Sequence, residues 1–197
     1  MTQIDYFFTL NSPWSYMGSA RLARIAKEYG ARVNCKPVKM GVVFEQTGGL
    51  PLPKRAPERQ AYRLADMKRW AEFLKLPFVY EPVFFPHDET ENVRLILAAV
   101  EAGGDALALA TEIGRCLWEM NENPADHNIQ NTAAARAGLD AETLRAALSL
   151  ADAESIWSKN TGEAIARGVF GAPSYVIDGE IFWGQDRLDF VERKLAR

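Results

Sequence analysis

Histidine and cysteine are almost missing from this chain, with two of each among 197 residues. His87 and His127 stand outside any recognisable motif, and Cys35 and Cys116 lie far apart in sequence. So sparse a set excludes a disulfide framework and leaves no basis for a zinc site of nitrogen and sulfur ligands. A Ser-His-Asp triad is a poor reading for the same reason, since it would have to use one of those two histidines. The expectation is chemistry carried neither by histidine nor by a metal, and reduced thiols serving as buried filler in a cytoplasmic protein. A basic excess is missing too. Lys plus Arg number 23 against 26 Asp plus Glu, a net charge of −3, which argues against a nucleic-acid binder. No apolar run approaches the roughly 18 residues of a membrane span. The opening Met1-Thr2-Gln3-Ile4-Asp5 carries no basic region of the secretory type, so no export signal is expected. What is present is 48% hydrophobic residues, enough to bury roughly 70% of the unfolded surface at this length.

The chain begins with a segment, Gln3 to Thr9, that is apolar or aromatic on both alternating sets and reads as a strand buried on both faces. A helical run follows, with Leu22, Ile25, Ala26 and Tyr29 at helical spacing and Gly30 as its stop. A second strand runs from Arg32 to about Val38, making a β-α-β unit with parallel strands. The breaker-rich stretch from Gly48 to Pro53 is a loop. Helical patterns then run from Glu58 to Leu76, Val93 to Ala102, Ala106 to Met120, Thr143 to Leu150 and Asp152 to Arg167. At the end, Ser174–Ile177 and Glu180–Trp183 read as strands of a hairpin turning at Asp178-Gly179, before a helix over Asp186–Leu195. The expected architecture is an α/β domain formed by residues 1–40 and 160–197, interrupted by a mainly helical insertion over 41–159.

Three short segments invite chemistry. In Ser12-Pro13-Trp14-Ser15, Ser12 is placed to cap a helix whose first position is proline. Free backbone N–H groups and the positive helix end converge there, an environment that favours an anion such as a thiolate. Ser-Pro also opens many ordinary helices. In Gly171-Ala172-Pro173, the proline before a strand is a candidate cis peptide. Ala172 would then present its backbone to an extended peptide, whereas the plainer reading has Pro173 merely ending a helix and starting an edge strand. In Trp183-Gly184-Gln185-Asp186, Gly184 permits a sharp turn and Gln185 or Asp186 caps the last helix. A functional alternative has its free N–H groups take a carboxylate while Asp186 meets an ammonium.

Taken together, strand, serine turn, helix, helical insertion and Gly-x-Pro hairpin resemble the thioredoxin superfamily with a DsbA-like insertion. Ser12 and Ser15 stand where redox members carry two cysteines, which excludes dithiol exchange at that turn. Along the whole chain the sequence resembles the group of 2-hydroxychromene-2-carboxylate isomerases and kappa-class glutathione transferases. The carriers are Asp5-Tyr6-Phe7-Phe8 with Ser12-Pro13-Trp14-Ser15-Tyr16, the Arg63–Met67 helix with Trp70, Val169–Pro173 and Phe182–Leu188. The resemblance implies glutathione as cofactor, with Ser12 holding its sulfur as thiolate. It implies that Ala172 and Pro173 pair with the cysteinyl part, and that Trp183, Gly184, Gln185 and Asp186 grip the γ-glutamyl end. It implies a small aromatic substrate and a homodimer. The group often carries an asparagine near Gly48-Gly49 and a lysine near Arg59; here Gly49 offers no side chain, and Lys54 or Arg59, with Arg55 nearby, is left to meet a substrate carboxylate. Tyr16, Phe44, Tyr80, Phe84 and Phe85 are candidates to flank a planar substrate, or to serve as core.

The energetics are adequate. A free thiol has a pKa of about 8.5, and lowering it by about two units takes roughly 2.7 kcal/mol. A charge-assisted hydrogen bond supplies about 1.5–3 kcal/mol and the helix end roughly 0.3–1 kcal/mol. Three functions satisfy the residues: a glutathione-dependent isomerase of an aromatic 2-oxo acid, a glutathione transferase or peroxidase, and a non-catalytic thioredoxin-fold binding module.

Overall fold

Strand β1 (Gln3–Phe8) is buried along both faces after its first residue, as its Ile, Tyr and Phe side chains require, with Asp5 buried among them. A computed structural model, describing residues 1–197, places it inside a four-stranded mixed sheet of order β2-β1-β3-β4. Helix α1 (Pro13–Glu28) crosses from β1 to β2 (Arg32–Pro37), which pairs in parallel from Gln3↔Arg32 to Phe8↔Pro37. The other two strands, β3 (Ser174–Ile177) and β4 (Glu180–Trp183), form the expected hairpin. Asp178 and Gly179 both take positive φ, 50° and 81°, as a two-residue turn matching strand twist demands. Strand β3 lies antiparallel to β1, so Pro173 opens an interior strand and not an edge.

Helices fill the middle: α2 (Met40–Thr47), α3 (Pro57–Leu74), α4 (Thr90–Glu101), α5 (Ala106–Trp118), α6 (His127–Arg136), α7 (Ala141–Ala147) and α8 (Leu150–Ala166); α9 (Leu188–Leu195) closes the chain. Two of them escape the sequence pattern. The α2 segment Met-Gly-Val-Val-Phe-Glu-Gln-Thr is poor in strong helix formers, and it ends on Gly48 in the left-handed region. The α6 segment is polar at its start and shows little apolar periodicity. It forms where the Asp126 side chain accepts from the Asn128 and Ile129 N–H groups and Ala133 and Ala134 pack inward. Helix α8 is continuous through the 159/160 boundary expected from sequence.

The main core is shared by sheet and insertion, joining Ile4, Tyr6 and Tyr175 to Leu95, Leu109 and Ala133. A second cluster, with Tyr16, Met17, Met67, Phe78 and Trp118, packs α3 and the Phe78 segment against α1 and α5, close to where α1 begins. Cys35 and Cys116 are unpaired and buried in this interior. Burial pushes their thiols up to about 12 and about 11, which leaves them protonated and inert. No helix is long and apolar enough to cross a membrane.

Candidate active site

The turn that follows β1 is held from outside. The Glu89 carboxylate accepts the Thr9 hydroxyl at 2.6 and 2.8 Å, the Leu10 N–H at 2.6 Å and the Asn11 N–H at 3.3 Å. The Asn11 side chain exchanges two hydrogen bonds with the His87 backbone, each 3.0 Å. Two chain segments nearly eighty positions apart thus fix the residue before Ser12. No local motif announces Glu89, because its partners are backbone donors brought to it by tertiary folding.

Ser12 caps α1, its Oγ accepting the Ser15 N–H at 3.2 Å. The same hydroxyl donates to the Ala172 carbonyl at 3.2 Å, across 160 positions of sequence. Pro13 has no N–H, and the Tyr16 N–H is taken by the Ser12 carbonyl, so the Trp14 N–H is the first-turn donor without a protein acceptor. The two serines of the turn are both buried but differ in bonding: Ser12, 8% exposed, has its hydroxyl bonded, whereas Ser15, 3% exposed, has a hydroxyl with no partner.

Ala172 is half-buried and precedes Pro173 through a cis peptide bond. The Pro173 carbonyl accepts the Gly184 N–H at 2.8 Å, which draws the end of β4 alongside the proline loop. Gly184 has φ +98° and must be glycine; a Cβ there would also sit 2.4 Å from an Asp186 carboxylate oxygen. Gly171 lies under the Trp183 indole, where a Cβ would meet Nε1 at 2.3 Å. Trp183 leans on Phe170 with ring centroids 4.8 Å apart and stays half exposed. Ser12, Ala172, Pro173, Gly184 and Trp183 therefore form one neighbourhood.

The reading of Gln185 or Asp186 as a helix cap needs correction. Neither Gln185 nor Asp186 caps the last helix: a 3-10 turn over Gln185–Arg187 precedes α9, and no side chain bonds either N-terminus. Gln185 points inward at 2% exposure, beside Gly18 of α1, and its Oε1 accepts from Arg21 at 3.2 Å. Asp186 stays at the surface and pairs with Arg187 at 2.7 Å. Sequence could not separate these roles, since only the closeness of α1 decides which side chain is swallowed. Tyr16 is core, packed on Phe78 with its hydroxyl donating to Glu119, and Tyr80 packs on Phe78 as well. Lys54 and Arg59 are exposed. The half-buried cations of this region are Arg55 and Arg63, and Arg63 lies over the Phe85 ring at 5.7 Å.

His87 is 9% exposed and neither ring nitrogen has a partner. Burial lowers its pKa to about 4, so the folded protein keeps it neutral where an unfolded chain, near 6.5, takes up a proton. Its contribution to stability is therefore complete above about pH 6.5 and is lost as pH falls toward 4. Between pH 7 and 4.5, wild type is expected to lose about 2–3 kcal/mol more than His87→Leu. Urea unfolding at the two pH values measures this, and parallel losses would refute it.

A thioredoxin-type sheet whose first helix opens on a serine, against a cis-proline loop, defines a DsbA-like thioredoxin-fold protein lacking the dithiol. The comparisons agree. The sequence profile of the DSBA-like thioredoxin domain matches residues 3–196. The 2-hydroxychromene-2-carboxylate isomerase of Sphingobium xenophagum is 30% identical over 98% of this chain and 97% of its own. Glutathione S-transferase kappa 2 of Caenorhabditis elegans is 27% identical over 98% and 91%. A solved 2-hydroxychromene-2-carboxylate isomerase superposes with a TM-score of 0.78 at 24% identity, over 99% of this chain and 95% of that one. The chain belongs to the DSBA-like thioredoxin family, in its group of 2-hydroxychromene-2-carboxylate isomerases and kappa-class glutathione transferases, and it is an enzyme of the isomerase class.

Proposed function

We propose that the protein is a glutathione-dependent isomerase of an aromatic 2-oxo acid, of the 2-hydroxychromene-2-carboxylate isomerase type, with Ser12 as the residue that keeps the sulfur anionic. The observation that carries this reading is the hydrogen bond from Ser12 Oγ to the Ala172 carbonyl, beside an unclaimed Trp14 N–H. A hydroxyl has one proton to give. Turning it from Ala172 to a sulfur frees that carbonyl to accept a peptide N–H, so one small rotation prepares both halves of a cysteinyl site.

The residues present fit the tripeptide. Trp14 N–H and Ser12 Oγ offer two donors to a thiolate at the positive end of α1. The backbone of Ala172 is available for extended pairing, and Asp186 stands at the surface of the adjoining turn for an ammonium. Glutathione held there would supply a thiolate as a reversible nucleophile toward a conjugated carbon of the substrate. Ser12 stabilises the negative charge before addition and after release. Trp183 and Phe170 pack together over Gly171 beside the proline loop, while Phe85 lies toward the α3 side. The same reading carries a homodimer in the cytoplasm as the working state.

The test is conversion of 2-hydroxychromene-2-carboxylate followed optically with and without glutathione, together with titration of free thiol. The expected result is turnover that requires glutathione and consumes none. Stoichiometric loss of thiol would identify a kappa-type transferase or peroxidase instead, and absence of glutathione binding by calorimetry would overturn the reading.

A further inference from the structure

We propose that Arg63, with Arg55 beside it, is the anchor for the carboxylate of a planar aromatic ligand. Its assignment to the isomerase substrate rests on the function proposed above. The cations of this region are conspicuous for what they lack. Arg21, Arg94 and Arg145, the other arginines withdrawn from solvent, each reach a carboxylate: Asp189 at 2.7 Å, Glu91 at 3.3 Å and Glu142 at 2.6 Å. Arg63 is half-buried on α3 and makes neither an ion pair nor a hydrogen bond; its guanidinium rests on the Phe85 ring. Arg55 is half-buried too, oriented by a 2.7 Å bond from Nε to the Leu50 carbonyl and lying 5.8 Å from the Phe44 ring centre.

These two cations repel each other, and Arg59 adds to the field on Arg55. Burial first, and then Arg55, brings the Arg63 guanidinium down to about 10. Half-buried like charges without a counter-ion are costly in the free protein and are relieved when an anion arrives. A guanidinium fork matches a carboxylate with two parallel bonds, and Phe85 gives the attached ring an apolar surface. The place is also right. Phe85 leads through Pro86 into His87, whose backbone is double-bonded by hydrogen bonds to Asn11, the residue before Ser12. Lys54 and Arg59, the cations that the family resemblance left for this role, are exposed, and solvent weakens whatever they contribute.

The carboxylate bound here has two chemical sources, the aromatic acid and glutathione itself, and the experiment separates them. Salicylate serves as an unreactive probe, with its binding and that of glutathione measured by calorimetry on wild type, Arg63→Met and Arg63→Lys. The expected result is at least a tenfold loss of salicylate affinity in Arg63→Met, partial recovery in Arg63→Lys, and glutathione affinity unchanged within about twofold. Turnover should show a raised KM for the aromatic acid with little change in kcat. The thermal midpoint of Arg63→Met should not fall, because an unpaired half-buried charge has been removed; a merely structural arginine would show the reverse. Salicylate binding that is absent in wild type or unchanged in Arg63→Met overturns the proposal, as does a parallel loss of glutathione affinity. Failure of glutathione to bind wild type would defeat the isomerase reading while the salicylate comparison still reported on Arg63.

Discussion

Replacing Ser12 with alanine is expected to lower the glutathione-dependent rate about 10- to 100-fold while the protein stays folded. The hydroxyl's hydrogen bond to an anion is worth about 1.5–3 kcal/mol, and each 1.4 kcal/mol is about tenfold in rate. The effect should also have a pH signature. Without the hydroxyl, the rising limb of the rate profile moves up by roughly 1–2 pH units toward the free-thiol value near 8.5. The structural cost is smaller. Alanine removes the cap on the Ser15 N–H and the link to the Ala172 carbonyl, a loss of about 1 kcal/mol. Rate measured against pH, beside urea unfolding, separates the two consequences. A variant that loses stability but keeps both rate and profile would reduce Ser12 to a helix cap.

Glu89 should matter most for stability. Its carboxylate is the acceptor for the Thr9 hydroxyl and for the Leu10 and Asn11 N–H groups, all in the turn that delivers Ser12. Alanine at this position strands those donors, and one or two unsatisfied groups at about 1–3 kcal/mol each give an expected loss of about 3–5 kcal/mol. Glu89→Gln keeps the shape and one acceptor oxygen, so it should lie between wild type and Glu89→Ala. It should also weaken glutathione binding, since the turn that delivers Ser12 loses one acceptor oxygen. Urea midpoints with glutathione titrations of the glutamine variant measure both. Equal stability of all three proteins would show that the strap is idle.

The two buried titrating groups beside this turn act in opposite directions. Burial raises the Glu89 carboxyl, so folding favours its protonated form and its contribution fades as pH rises above the ordinary carboxylate range. His87, held neutral, contributes more as pH rises. Wild-type stability alone mixes the two trends, which is why the His87→Leu comparison is made as a difference between proteins.

The mixed sheet was legible because its strands announce themselves: β1 by apolar residues on both faces, the terminal hairpin by Asp178-Gly179. Helices with a strong apolar stripe were legible too. The segments over 40–47 and 127–136 were not, because β-branched or polar residues there become helical through a cap and tertiary packing. Within the site, Ser12 and Pro173 carry local signals, a helix cap and a proline before a strand. Gln185 does not reveal its burial, nor Glu89 its three donors, nor Arg63 its missing counter-ion. Each of these depends on what a distant segment places next to it.

The order of residues alone determined the β-α-β start, the terminal hairpin and the serine cap of the first helix, because periodicity, caps and turns are written in neighbouring positions. The thioredoxin assignment came from the resemblance these motifs carry. Only the folded molecule decided that the Ser12 hydroxyl meets the Ala172 carbonyl, that Glu89 straps the turn before it, and which arginines lose solvent without gaining a partner. Burial and hydrogen-bond satisfaction are properties of three-dimensional neighbours, and those neighbours lie tens to hundreds of residues away along the chain.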